Sequence, residues 1–469
     1  MNKIKVLCFT DTDTGRDVEI ILPIRYFAER FLNCKFYHSI SFDAFSIYRF
    51  KPDIILLPNT IGSNLYFKLS KKAHRQNIPL FALISEGNFR TNGTFNYWGF
   101  NTDKVFYQEY VCCWSERTAN FLKSEVPEAE EKIVVTGGTG FDRYKIYKFK
   151  TREEILKKYN LPEFKKVIGY AGWAFGKLQH KRGRKELTSA YKDNPEKRLK
   201  WVAEQRILVR DILRKSIEKN KDTLFILKRH PQESSPELTI EIINEMSELA
   251  DYDNVLYLGE EEALHDLINI SDLWTCFEST TALEAWLLGK ETIFINPDPN
   301  FNRDQLFKGS VLVNSYENLQ EKINEYFQNG KIEDFYKDEK ISAREKIIKE
   351  TIGFDDGMNH IRAGYYLHKT IEKKLNRKIT STYRFNFYDF LIFLGIRFFS
   401  LFYNRNIFKH IYKLKKHLWV FEDFKLKKIP VLYKQYSKYL NEFYNLNDVS
   451  NKFKKGILYK ELNLDETKK

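Results

Sequence analysis

A cation and a histidine follow a strand-like run near the middle of the chain, in the motif Leu227-Lys228-Arg229-His230-Pro231. The apolar run Thr223–Lys228 predicts a buried strand, and strand alternation places Lys228 and His230 on one face. Pro231 keeps His230 out of the helical region and so sets the direction in which the loop leaves the strand. An imidazole and an ammonium at a strand end can neutralise a phosphate or diphosphate leaving group, whereas the structural alternative is an ordinary turn.

A second candidate lies where another strand is expected to run into a helix, in Phe277-Glu278-Ser279-Thr280-Thr281. Ser279, Thr280 and Thr281 place three hydroxyl groups beside the free N–H groups of a helix start, which together would bind an anion. Thr281 and Glu284 also match the capping box, a structural alternative that needs no ligand. The cap leaves Ser279 and Thr280 unexplained, and Glu284 could instead accept hydrogen bonds from a ribose.

A loop with three glycines follows Ile168, at the end of the strand-like run Lys166–Tyr170, and reads Gly169-Tyr170-Ala171-Gly172-Trp173-Ala174-Phe175-Gly176-Lys177. It is not a Walker A loop, because Ala171 stands in place of its first glycine and Leu178 in place of its Ser or Thr. Gly172 would still let a phosphate or sugar approach the backbone closely. Trp173 and Phe175 within this loop could stack on a ring or pack in the core.

Carboxylates that could act as a general base lie in the first part of the chain. Glu86, in Ser85-Glu86-Gly87-Asn88, follows the strand-like run Pro79–Ile84, where it could deprotonate an acceptor hydroxyl. Asp11, Asp13 and Asp17 follow the first predicted strand, and loop or cap roles compete with a base role for each of them.

These motifs depend on strands and helices that place them at strand ends. Short apolar runs alternate with amphipathic ones, which predicts parallel sheets with helices on both faces and right-handed crossovers. We therefore expect an α/β protein with two Rossmann-like domains that face a cleft, at residues 1–150 and 151–370. The other predicted strands are Ile4–Phe9, Asp53–Leu57, Tyr110–Trp114, Ile133–Thr136, Asn254–Leu258, Asp272–Phe277 and Thr292–Asn296. The principal predicted helices are Val18–Leu32, Leu65–Gln76, Lys200–Lys219, Glu237–Leu249, Glu261–Ile268, Ala282–Leu288 and Asn318–Gln328.

The positive charge is concentrated in residues 371–469. The chain of 469 residues has a net charge of +14, and this segment, with 22 Lys and Arg against 9 Asp and Glu, carries +13 of it. It also holds 22 of the 73 aromatic residues. A protein that binds nucleic acid along its folded body would show a basic surface there, so we expect no nucleic-acid partner.

The same segment contains an apolar helical pattern around Phe390–Phe402, followed by lysine-rich stretches. Such a helix suits the interface of an anionic bilayer, and we interpret residues 371–469 as a membrane-associating helical tail. The alternative is a helical bundle packed on the second domain, and both could hold.

Five cysteines without a Cys-x-x-Cys pattern fit a reducing compartment. The first ten residues predict a strand rather than a signal peptide, and no apolar stretch has the length of a spanning helix. We expect a cytoplasmic protein, peripheral on the inner face of the cell membrane.

Taken together, these motifs resemble those of a known group. Ser85-Glu86-Gly87, His230-Pro231 and Ser279-Thr280 are similar to the acidic-Gly, His-Pro and paired-hydroxyl motifs of bacterial sialyltransferases and related Kdo transferases. Gly137-Gly138-Thr139-Gly140-Phe141-Asp142 and the stretch 279–289 also resemble surface-carbohydrate biosynthesis proteins and CDP-glycerol glycerophosphotransferases.

The resemblance covers about residues 1–370 in the order of elements, and it implies a GT-B-like fold with an acceptor domain followed by a nucleotide-donor domain. It also implies transfer of a sugar from a nucleotide-activated donor, with a CMP-sugar favoured, to a growing cell-surface polysaccharide or a lipid-linked acceptor. Carried over, Glu86 is the base, His230 is the partner of the leaving phosphate, and Ser279 and Thr280 hold the phosphate. GT-B enzymes commonly need no metal, and we expect no metal or other cofactor.

Two other functions remain open at this point. Polyol-phosphate transfer from CDP-glycerol would use the same histidine and hydroxyl groups. A non-catalytic membrane adaptor in glycan assembly would use the basic tail without the site. Sugar-nucleotide 2-epimerases share the architecture, but they give no reason for a basic aromatic tail.

Overall fold

The structure is a computed structural model and describes residues 3–60, 63–84, 105–179, 183–185, 194–233, 243–259, 261–298, 305–402, 420–421 and 424–464. The chain divides into two compact units. The first unit comprises Met1–Tyr147 together with Ile348–Lys469, and the second unit comprises Lys148–Ile347. This division differs from the expected three consecutive segments, because the chain returns to the first unit after completing the second.

The first unit is built on a six-stranded parallel sheet with the order β2-β1-β3-β4-β5-β6. Its strands are β1 (Ile4–Thr10), β2 (Cys34–Ile40), β3 (Ile54–Leu57), β4 (Leu80–Leu83), β5 (Tyr110–Cys113) and β6 (Ile133–Val135). Its helices in the first chain segment are α1 (Arg16–Phe31), α2 (Ser46–Phe50), α3 (Asn64–Arg75), α4 (Glu116–Glu125) and α5 (Arg143–Ile146). The strand order reverses between β1 and β3, which is the topological switch point of this sheet.

The second unit contains another six-stranded parallel sheet, with the order β12-β11-β10-β7-β8-β9. Its strands are β7 (Lys166–Ala171), β8 (Thr223–Lys228), β9 (Val255–Leu258), β10 (Leu273–Cys276), β11 (Glu291–Ile295) and β12 (Val311–Val313). Its helices are α6 (Arg152–Lys158), α7 (Pro195–Lys219), α8 (Leu264–Ile270), α9 (Thr281–Leu287) and α10 (Tyr316–Asn329), and α11 (Asp338–Ile352) leads back to the first unit. Its order is that of a dinucleotide-binding Rossmann sheet, with the switch point between β7 and β10. The predicted α/β class with two Rossmann-like sheets is confirmed.

The C-terminal helices belong to the first unit. They are α12 (Asn359–Asn376), α13 (Phe387–Phe399), α14 (Lys428–Leu446), α15 (Val449–Lys454) and α16 (Leu458–Glu461). Apolar residues of α12 and α14 share one buried core with α1 and the sheet. At Gly364 in α12 a Cβ would collide with the ring of Phe27 in α1, so a glycine permits this close contact. The tail therefore packs on the first unit, whereas our alternative placed it on the second domain.

A buried polar network also holds these helices in place. His360 in α12 makes a 2.8 Å contact through Nδ1 with Asp142 and a 2.9 Å contact through Nε2 with the hydroxyl of Tyr444 in α14. The backbone N–H of His360 also donates to Asp142 at 2.7 Å. All three side chains are buried, so we interpret the network as structural. It gives Asp142, the last residue of the Gly137–Asp142 motif, a role within the fold.

Most predicted strands agree with the structure to within one or two residues, and the two strands that the pattern missed, β2 and β12, both lie at sheet edges. The predicted helix Glu237–Leu249 is only partly described, and its end forms a 3₁₀ turn at Ser247–Leu249. All five cysteines are buried and free. Among the described residues, no helix combines the length and apolar composition that crossing a bilayer requires.

Candidate functional site

Three of the sequence motifs meet at one edge of the second unit. Strands β8, β7 and β10 are neighbours in the sheet, and their last residues, Lys228, Ala171 and Cys276, lie opposite one another. Three loops therefore leave the sheet side by side, around its switch point. They are the His-Pro loop (229–231), the glycine loop (172–177) and the hydroxyl loop (277–281). Ligands of open α/β sheets bind at this position, outside the carboxyl ends of the strands.

Hydrogen bonds and ring contacts fix these loops to each other. The backbone N–H of Gly176 donates to Glu233 at 2.6 Å, and the N–H of Glu233 donates to the carbonyl of His230 at 2.9 Å. On the other side, the rings of Phe175 and Phe277 stack with centroids 5.0 Å apart. Both rings are buried, which assigns Phe175 to the core rather than to ligand stacking.

His230 is half-buried at the end of β8, and Pro231 begins a 3₁₀ turn directly after it. Burial, and to a lesser degree the charge of Lys177, lower the pKa of His230 to about 4. The imidazole is therefore neutral near pH 7 and can donate one hydrogen bond from its protonated nitrogen. A bound phosphate would raise this pKa, because a nearby negative charge favours the imidazolium form.

Lys228 is nine-tenths buried, and its ammonium group donates to the carbonyl oxygens of Gly259 and Glu262. Its place at the end of β8 agrees with the expectation, but these two acceptors tie its charge to the loop after β9. We therefore assign Lys228 to the support of that loop.

The hydroxyl loop is arranged differently from a capping box. Helix α9 has Thr280 as its N-cap, and the side chain of Thr280 makes no capping hydrogen bond. The hydroxyl oxygen of Thr281 accepts a 2.9 Å hydrogen bond from the indole of Trp274, and that of Ser279 accepts one from the N–H of Thr281 at 3.4 Å. Thr280 and Glu284 are half-buried. The capping-box alternative is thus not realised.

Glu278, in the same loop, has a positive φ of 50°. A residue with a side chain rarely adopts this conformation, and such positions are concentrated at functional sites. Nothing in its residue type signals this geometry.

Two buried glutamates, Glu233 and Glu245, lie beside the glycine loop, and neither was predicted from the sequence. Glu233 accepts hydrogen bonds from Gly176 and, at 2.8 Å, from Asn244, and burial raises its pKa. Glu245 is fully buried and accepts a 3.0 Å hydrogen bond from the hydroxyl of Tyr170. Burial, followed by the charge of Glu233, raises the pKa of Glu245 to about 8.

Gly172 lies directly against the side chains of Glu245 and Tyr170. A Cβ at this position would collide with a carboxylate oxygen of Glu245 and with the Tyr170 hydroxyl. The glycine is thus required by close packing behind the loop, a reason different from the expected approach of a ligand. Lone glutamates such as Glu233 and Glu245 carry no spacing signal, although Glu233 is only three residues after His230.

In the first unit, Glu86 lies outside the described residues. Asp17, at the start of α1, accepts a 2.8 Å hydrogen bond from the Tyr66 hydroxyl. Burial, followed by the charge of Asp11, raises the pKa of Asp17 to about 6. Asp13 instead accepts a hydrogen bond from the backbone N–H of Lys428 and pairs with its ammonium at 3.4 Å, which ties α14 to this loop.

Within the described part of the chain, no group of three or more His, Cys, Asp or Glu residues is arranged to hold a metal ion.

Neither the family models nor the curated proteins include a match to this sequence. Solved structures do match its fold. A protein of Listeria monocytogenes assigned as a UDP-N-acetylglucosamine 2-epimerase is 15% identical, with a TM-score of 0.51 over 79% of this chain and 97% of that one. A second UDP-N-acetylglucosamine 2-epimerase is 13% identical, with a TM-score of 0.51 over 80% and 97% of the two chains.

The wall teichoic acid polymerase TagF is also similar, at 15% identity and a TM-score of 0.46 over 80% of this chain and 90% of that one. The two epimerase matches establish a GT-B-like fold with two Rossmann-like units. This fold is the one that the motif resemblance implied.

Proposed function

We propose that the protein is a glycosyltransferase that moves a sugar from a nucleotide-activated donor, with a CMP-sugar favoured, to a growing cell-surface polysaccharide or lipid-linked acceptor. The proposal includes a location at the inner face of the cell membrane. One observation carries it: three motif loops of the expected kind leave neighbouring strands at the switch point of a Rossmann-type sheet.

In this proposal the oxygen of an acceptor hydroxyl forms a bond with the anomeric carbon while the bond from that carbon to the donor phosphate breaks. The departing nucleotide keeps the electron pair on its phosphate oxygen. His230 donates a hydrogen bond to this phosphate, and the hydroxyls of Ser279 and Thr280 contact it from the loop after β10. Thr281 supports Ser279, and Glu284 binds the ribose.

The proton of the acceptor hydroxyl passes to a carboxylate. Glu86 is proposed for this role on the motif resemblance alone. Asp17 is the alternative within the described residues, because a pKa of about 6 suits a base that works near neutral pH.

A thermal-shift panel of CMP, CDP, UDP and GDP tests the donor. A ligand at 100 times its dissociation constant adds about 2.7 kcal/mol, so the preferred nucleotide stands out clearly. We expect a cytidine nucleotide to stabilise the protein and His230→Ala to remove the shift while the variant remains folded. With the identified donor, the variant should lose turnover on the order of 10²–10³-fold.

The outcomes separate the candidate functions. Stabilisation by UDP alone, with interconversion of UDP-sugars and no transfer, would favour an epimerase. Transfer of glycerol phosphate from CDP-glycerol would favour a polyol-phosphate transferase. If no nucleotide stabilises the protein, the result would favour a non-catalytic membrane adaptor.

A further inference from the structure

Helix α13 exposes a continuous apolar stripe. It begins with two adjacent aromatic residues and then continues every three or four residues along one side of the helix and just beyond its end. Each member is between 41% and 71% exposed. They are Phe387, Tyr388, Leu391, Leu394, Phe398 and Leu401. Scattered exposed apolar residues are ordinary on a protein surface, but a stripe of this length marks an interaction site.

The opposite side of the same helix is fixed to the first unit. Phe393 and Ile396 are both buried, and Ile396 lies in a cluster with Ile40 and Val420. The ring centroids of Phe393 and Phe45 are 5.4 Å apart. Asp389 forms an ion pair with Lys72 of α3. The helix is thus apolar on both sides, and the packed side holds the stripe in a fixed direction.

The segment before the helix is fixed as well. The N–H of Thr382 donates to the carbonyl of Gln76 at 2.8 Å, and the hydroxyl of Tyr383 donates to the carbonyl of Pro52 at 2.8 Å. At the start of the helix, Asn386 caps it by accepting a 3.1 Å hydrogen bond from the N–H of Asp389. These contacts hold α13 on the first unit, and its exposed stripe can be reached by a partner without detachment of the helix.

We propose that the outer stripe of α13 inserts into the interface of a bilayer that contains anionic lipids, with the helix lying parallel to the membrane surface. Charge decides between the two simplest partners. Residues 371–469 carry +13, so a second copy of this chain would bring like charges together, whereas anionic headgroups would be attracted. Phenylalanine, leucine and tyrosine beside basic residues are the usual composition of an interfacial helix.

This proposal specifies the membrane partner of the function proposed above, but its test needs no donor or acceptor. It narrows the expected membrane-associating tail to a single helix face, because much of α12 and α14 is committed to the core. Deletion of the whole tail would remove part of that core, so point substitutions are the appropriate perturbation.

The first experiment measures co-sedimentation of the full chain with vesicles of phosphatidylcholine, with and without phosphatidylglycerol. The test variant is Leu391→Gln with Leu394→Gln. The control is Val431→Gln with Leu446→Gln, at two exposed apolar positions of α14 outside the stripe. We expect the wild type and the control to bind anionic vesicles, and this binding should weaken at high salt. The test variant should bind the same vesicles at least about tenfold more weakly than the wild type.

A second measurement does not depend on the stability of the double variant. Because all five native cysteines are buried, a cysteine introduced at an exposed site can be labelled selectively. An environment-sensitive fluorophore on Leu394→Cys should shift to the blue with anionic vesicles, and the same label on Leu446→Cys should not.

Three results would overturn the proposal. One is that the wild type does not bind vesicles, or binds them equally well with and without anionic lipid. Another is an equal fluorescence response at both labelled positions. The third is a wild-type dimer that becomes a monomer in the test variant without any vesicle binding, which would make a second copy the occupant. Loss of vesicle binding leaves the nucleotide panel unaffected, so failure here is distinguishable from failure of the proposed transferase.

Discussion

Glu245 makes the stability of the second unit depend on pH, and Glu245→Gln should remove that dependence. Its carboxyl group is fully buried, and its pKa rises from an ordinary value of 4.5 to about 8. In the unfolded chain the group loses its proton above about pH 4.5, whereas in the folded chain it keeps the proton until about pH 8. The unfolded state therefore binds fewer protons in this window, and stability falls as the pH rises through it.

The size of the effect follows from the pKa values. One pKa unit corresponds to about 1.36 kcal/mol, so the contribution of Glu245 to the free energy of unfolding changes by at most about 5 kcal/mol between pH 4.5 and pH 8. Glutamine keeps an oxygen that can accept the 3.0 Å hydrogen bond from Tyr170. Its buried amide introduces a cost of about 1–3 kcal/mol that does not depend on pH. The slope with pH is therefore the quantity to compare.

The assay is urea unfolding of wild type and Glu245→Gln at several pH values from about 5 to about 8. We expect the variant to gain stability relative to the wild type as the pH rises, by a few kcal/mol in total. Glu248→Gln is the control for a neighbouring surface carboxyl, because this side chain is 47% exposed, and the fall in stability with rising pH should persist in this variant. A difference between wild type and Glu245→Gln that stays constant with pH would refute the reasoning.

Three further predictions concern the proposed base, the histidine and the buried network. Glu86→Gln should lower kcat far more than it weakens donor affinity, and Asp17→Asn should not show this selective loss of kcat. If steady-state kinetics and binding measurements show the selective loss in Asp17→Asn instead, Asp17 is the base. Nucleotide binding should raise the pKa of His230 from about 4, so affinity should increase as the pH falls toward that value. Calorimetry in buffers of different ionisation enthalpy should then show proton uptake, and its absence would contradict the phosphate contact. Tyr444→Phe should destabilise the first unit by about 1–3 kcal/mol, because the Nε2 of buried His360 loses its 2.9 Å partner. In denaturant unfolding the exposed control Tyr388→Phe should change nothing, and equal behaviour of both variants would contradict a structural role for the network.

The sequence predicted strands well where burial is continuous. Thr223–Lys228 has the same ends in prediction and structure, because every residue of β8 is buried. β2 alternates buried with exposed or half-buried residues around Lys35, as expected for the edge of a sheet, and β12 has only three residues. β2 therefore lacks the uninterrupted apolar run by which the central strands were identified, and in β12 that run is only three residues long.

The positions of the motif loops could also be predicted from the sequence, because polar residues directly after a buried parallel strand must lie at the carboxyl ends of the strands. It did not reveal Glu233 or Glu245, since the burial of a single loop glutamate is decided by residues far along the chain. Gly176 precedes Glu233 by 57 residues, and Tyr170 precedes Glu245 by 75 residues. For the same reason the apolar pattern of the tail predicted that a face would be buried, but not that α1 would be its partner. A periodic pattern identifies a face to be covered and carries no information on the covering element.

The two-part construction of the first unit has a consequence for synthesis of the protein. Ile24 and Phe27 of α1 belong to a core completed by Ile361 and Tyr444, which emerge from the ribosome more than 300 residues later. The nascent first segment must therefore wait with an apolar helix face uncovered, while residues 148–347 already form a complete unit. Folding domain by domain from the N-terminus, the usual order during translation, is not open to this chain. We expect protease resistance on the ribosome to develop first in the second unit, and the incomplete first unit to depend on chaperone protection until the last helices are made.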